Sequence, residues 1–127
     1  MCSLKMDKKR ILLVEDEKDM AYAVTFQLEA NNYEVLTASD GREALEKAHK
    51  ENPDLIILDL MLPKMDGYKV CRMLKFDKNY ENIPIFLFTA RAQEEDKKLG
   101  SEVGGDAYIC KPFEPQALLS KIKELLK

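Results

Sequence analysis

Five short apolar runs mark the chain at residues 11–14, 34–38, 55–58, 83–88 and 107–110. Each is rich in aliphatic, β-branched or aromatic residues and is bounded by turn formers, which predicts five strands. The stretches between them change period. Met20, Val24 and Leu28 fall on one face of the first, and Ala44, Leu45 and Ala48 mark the second. Val70, Cys71 and Leu74 mark the third. Leu118, Ile122 and Leu125, backed by Leu119 and Leu126, draw an apolar stripe along the last. Spacing of three and four residues predicts helices with one buried side.

Punctuation agrees with these boundaries. Asp40-Gly41 opens the second helix and Asn52-Pro53 closes it, while Asp66-Gly67 is placed to cap the third. Glu114-Pro115 sets a proline at the first helical position, where its missing N–H does no harm. The stretch 93–104 is the least apolar helical segment, with Ala92, Leu99 and Val103 nearly all it can bury. Weak burial implies low local stability. This segment is expected to be the mobile element and, with the strand holding Tyr108, to form an output face.

Strict alternation of strand and helix predicts an α/β domain with a parallel sheet. Runs one, three and four are almost wholly apolar, as strands covered on both faces must be. Runs two and five are weaker and belong at the edges. Right-handed crossovers then favour the strand order 2-1-3-4-5.

Composition narrows the function. The chain has 127 residues, enough for one domain, expected over 10–127 after a tail at 1–9. The basic run from Lys5 to Arg10 reads as solvated tail. Twenty basic and 23 acidic residues leave a net charge of −3, with no electrostatic footprint for nucleic acid or an anionic membrane. No apolar run approaches the roughly 20 residues that cross a bilayer. The polar, basic start lacks a signal-peptide core. A cytoplasmic location is therefore expected. Cys2, Cys71 and Cys110 have neither disulfide nor metal-ligand spacing and read as small hydrophobes. His49, the only histidine, reads as a solvated helix residue.

Ligands of open α/β sheets sit outside the carboxyl ends of the strands. Strand one is followed by Glu15 and Asp16, strand three by Asp59, strand four by Thr89 and strand five by Lys111-Pro112. The proposed order brings three carboxylates, a hydroxyl and an ammonium to one patch. Clustered carboxylates repel one another and need a cation between them. An all-oxygen donor set suits Mg²⁺. A carboxylate beside Mg²⁺ is a competent nucleophile toward phosphorus. Lys111 and Thr89 are then placed to stabilise the oxygens of a phosphoryl group.

The stretches ILLVEDE, LIILDLMLPKMDG, PIFLFTAR and GGDAYICKPF, in this order and spacing, resemble the receiver domain of two-component response regulators. The likeness spans Arg10 to Lys127 and implies a CheY-like, flavodoxin-like (βα)5 three-layer sandwich. It implies that Asp59 accepts the phosphoryl group from a sensor histidine kinase or a phosphotransfer protein. It further implies that Glu15, Asp16, Asp59 and the backbone carbonyl of Met61 hold Mg²⁺. Thr89 matches the switch hydroxyl, Tyr108 the switch aromatic and Lys111 the lysine that pairs with Asp59 and then with phosphate. A downstream protein or domain would receive the signal, without direct contact between this domain and nucleic acid. Glu15 stands where Asp is also common, and its longer reach favours coordination through water. Ala107 replaces an acid used in the dimer contacts of many DNA-binding members.

Two other functions use a similar sheet. A Mg²⁺-dependent phosphohydrolase with an Asp nucleophile would need a second Asp two residues later, where this chain has Met61, and a cap. A phosphate-cradling cofactor binder would need Ser, Thr and Gly after strand one, where Glu15-Asp16-Glu17 would repel an anion.

Overall fold

The structure, a computed structural model, describes residues 8–59, 67–89, 106–110 and 114–126. For Gly67, Tyr68, Thr89 and Cys110 it describes the backbone alone. The strands are β1 (Arg10–Val14), β2 (Glu34–Ala38), β3 (Leu55–Asp59), β4 (Ile85–Thr89) and β5 (Ala107–Cys110). The helices are α1 (Lys18–Ala30), α2 (Gly41–Glu51), α3 (Gly67–Lys75) and α4 (Pro115–Leu125). All strand pairs are parallel, in the expected order β2-β1-β3-β4-β5.

Period-two alternation divides the core into two layers. Leu12, Val14, Ile56, Leu58, Ile85 and Leu87 pack beneath α2 and α3. Ile11, Leu13, Leu55, Ile57, Phe86 and Phe88 pack beneath α1 and α4. The central strands are therefore buried on both faces. Burying one such aliphatic side chain stabilises by about 1.5–3 kcal/mol. β2 and β5 lie at the edges and are only partly covered, which explains their mixed sequence.

Helix ends follow their local chemistry. Asp40 caps α2 by accepting the Glu43 N–H at 2.9 Å. Glu43 reaches back to the Ser39 N–H at 2.7 Å. That backbone bond holds the Glu43 carboxyl below its ordinary range. Asn52 closes α2 with φ 48°, a left-handed conformation that Asn tolerates better than most residues. Pro115 begins α4 behind Glu114, as expected.

Three expectations change. β4 starts at Ile85, two residues late, because Pro84 has no N–H for the ladder and contributes only its carbonyl, which accepts from Ile56 at 3.0 Å. Arg10 is not solvated tail. It begins β1, and its guanidinium bonds the Glu51 carbonyl at 2.6 Å and the Glu51 and Glu34 carboxylates at 2.7 and 3.3 Å. His49 lies on an exposed turn of α2 but is not simply solvated, since its Nδ1 shares a hydrogen bond with the Tyr80 hydroxyl. The segment 93–104 lies outside the described residues.

Two outcomes test this packing. Asp40→Ala should cost about 1 kcal/mol in urea unfolding, the usual worth of a helix cap. Burial pushes the Cys71 thiol up to about 12. Iodoacetamide at mildly alkaline pH should therefore leave Cys71 unmodified in the folded chain and label it in urea, as read by peptide mass. Labelling at equal rates would contradict the buried placement.

Candidate functional site

Register builds the site. Val14 pairs with Leu58, so β1 and β3 run out side by side. The next residue on β1 is Glu15, and the next on β3 is Asp59. Glu15 is fixed by its own backbone N–H, which donates to the Ala38 carbonyl at 2.9 Å and carries the β1–β2 ladder one step further. On the other side Asp59 pairs with Phe88 of β4, which leaves Thr89 one residue beyond it.

The carboxylates of Glu15, Asp16 and Asp59 lie within 4.8 Å of one another. Glu15 and Asp59 are 4% and 3% exposed, whereas Asp16 reaches solvent. Carboxylates gathered this closely suit a multivalent cation, which brings the charge that joins them. One more contact orients the cluster. The Glu17 N–H, at the N-terminus of α1, donates to Glu15 Oε2 at 3.2 Å. Glu17 itself places no side-chain cap on that helix. The Glu15 carboxylate thus serves a helix end whose dipole favours negative charge.

A cavity of about 450 Å³ adjoins the cluster. Glu15 and Asp16 form one wall, and Lys18, Tyr22, Thr25, Thr37, Ser39 and Glu43 contribute to the rest. Among the residues expected from sequence, Glu15, Asp16 and Asp59 come together as anticipated. Thr89 ends β4, with its side chain outside the description. Tyr108 sits in β5 opposite Leu87, its ring half-buried against the α2–α3 layer. Met61 and Lys111 lie outside the described residues. The cavity wall from Ser39 to Glu43 was missed, although Asp40 with Glu43 three residues later carries the signal of a capped helix start.

Residues 11–123 match the model of the response regulator receiver domain. The chain belongs to this family. Its receiver domain is 47% identical over 119 residues to the alkaline phosphatase synthesis transcriptional regulatory protein PhoP of Bacillus subtilis. That alignment covers 94% of this chain and 49% of PhoP, so the chain spans about half the length of this relative. Among solved structures, a putative response regulator from Chloroflexus aurantiacus superposes with TM-score 0.91 at 35% identity, covering 94% of this chain and 98% of that one. Chemotaxis response regulator CheY4 of Vibrio cholerae gives 0.89 at 35% identity, covering 94% and 99%. The receiver domain's described helices include none long and apolar enough to cross a membrane.

A bound divalent ion should stabilise the fold. Each tenfold excess over its dissociation constant adds about 1.4 kcal/mol. Thermal melts should rise with added Mg²⁺ in the parent chain. The rise should shrink sharply in Glu15→Gln and in Asp59→Asn, and an equal rise in all three would show that the ion binds elsewhere.

Proposed function

We propose that this receiver domain accepts a phosphoryl group on Asp59 and passes the event to a partner. The observation that carries the reading is the convergence of three carboxylates at the ends of adjacent buried strands. Their all-oxygen donor set fits Mg²⁺, which Glu15, Asp16, Asp59 and, by the family resemblance, the Met61 carbonyl would hold. When bound, the ion supplies positive charge for the oxygens of the transferring group.

Asp59 acts as nucleophile. A carboxylate oxygen attacks the phosphorus of a phosphohistidine on a sensor kinase or phosphotransfer protein. The P–N bond breaks as the P–O bond forms, and the departing imidazole nitrogen keeps the electron pair and takes a proton from water. The product is an acyl phosphate. Burial of Asp59 at the strand end restricts its approach direction, which favours in-line transfer. Lys111 pairs with Asp59 before transfer and with the phosphoryl oxygens after it. Thr89 donates a hydrogen bond to one of those oxygens, and Tyr108 turns inward as that hydroxyl moves. The face of β5 and the segment 93–104 then presents the altered surface to a downstream protein or domain. The domain acts on itself alone, through phosphorylation and its reversal.

Incubation with acetyl phosphate and Mg²⁺ supplies the test. The chain should gain one base-labile phosphoryl group, about 80 Da in mass, at Asp59. Asp59→Asn should gain none, and omission of Mg²⁺ should slow the reaction at least tenfold. Modification at another residue, or rapid turnover of simple phosphate esters, would overturn the reading.

A further inference from the structure

Among the described residues, four large apolar side chains are exposed, and they form two pairs. Tyr22 and Phe26 stand one turn apart on α1, at 83% and 73% exposure. Met73 on α3 and Phe76 just past its end stand three residues apart, at 47% and 69%. The pairs lie on opposite faces of the sheet, since α1 packs on one layer of the core and α3 on the other. They cannot meet within one copy.

Their charged borders are opposite in sign. On α1 the spacing of Asp19, Tyr22, Phe26 and Glu29 makes one stripe with an acid at each end, and all four are exposed. On α3 the exposed face carries Lys69 and Arg72 and no acid. The Arg72 guanidinium lies 5.9 Å from the Phe76 ring centroid. Beside this face runs a hollow of about 630 Å³ between α2 and α3, with Leu45, Leu74 and the His49–Tyr80 pair in its wall. Two acids, Glu46 and Asp77, also line it. Asp77 accepts the Asn79 N–H at 2.9 Å. Lys18, one turn before Tyr22 on α1, offers a complement to Glu46.

We propose that the α1 stripe of one copy docks on the α2–α3 groove of another. Tyr22 and Phe26 pack against Met73 and the neighbouring Phe76 with the two helices antiparallel, which brings Glu29 to Lys69 and Arg72. Because two different surfaces are joined, the contact is head-to-tail and need not close on itself. A patch this small gives weak, reversible association. A nucleic-acid partner suits this surface less well, because the whole chain is net negative.

Sedimentation velocity over a concentration series up to about 1 mM tests the proposal in a regime where weak contacts populate. The parent chain should sediment faster as concentration rises, and added salt should reverse the trend. Phe26→Asp spoils one surface and Met73→Asp the other, so each variant alone should stay monomeric. Both positions are exposed, and circular dichroism checks that each variant remains folded. An equimolar mixture of the two should form a one-to-one complex and nothing larger, since one intact surface of each kind remains. Arg72→Glu should weaken association at least tenfold, and mixing it with Glu29→Lys should recover most of the loss. A parent chain that stays monomeric throughout, or a mixture of the two Asp variants that stays monomeric, would overturn the proposal.

Discussion

Parallel register between β1 and β3 is the constraint on which the site depends. Val14 and Leu58 pair at the last rung, so the next side chains on the two strands must emerge together. A slip of one residue would turn every apolar side chain to the wrong layer. Ile11 to Val14 and Leu55 to Leu58 are wholly buried, which makes such a slip very costly. The hydrophobic core therefore holds two carboxylates at a spacing they would not choose. Asp16 joins them because α1 begins two residues later and turns the chain back over the sheet.

The two ends of the sheet have different tasks. At the amino ends, opposite charges knit the elements. Arg10 ties β1 to β2 and α2 through Glu34 and Glu51. Lys75 ties α3 to Asp106 before β5 at 2.9 Å, and Asp106 also accepts the Ile85 N–H at 2.8 Å. At the carboxyl ends, among the described residues, the carboxylates of Glu15, Asp16 and Asp59 gather. Contacts that knit the elements thus lie at one end of the sheet and the carboxylate cluster at the other, where open α/β sheets place their ligands.

Much of this was legible in the amino-acid order. The alternation of apolar runs with helical spacing was enough for the sheet, its parallel sense and its strand order. Buried central strands and half-covered edges followed from composition. The meeting of Glu15, Asp16 and Asp59 was legible because they stand just after runs that had to be central strands. Side-chain partnerships were harder to see. Arg10 looked like the end of a basic tail because its acids, Glu34 and Glu51, lie 24 and 41 residues away. His49 and Tyr80 are 31 residues apart and meet only because α2 and α3 share a layer. Pro84 carried its signal openly, yet the apolar pattern through residue 83 outweighed it. Local rules reach as far as caps and turns, and contacts across layers require the assembled fold.

Tyr22 borders two hollows, the one beside Glu15 and Asp16 and the apolar one between α1 and α4. One residue contributes to both walls. Any inherited change that widens or narrows the approach to the carboxylates reshapes the neighbouring groove in the same step. The two surfaces cannot drift independently, and lineages that retune one must re-fit whatever rests on the other.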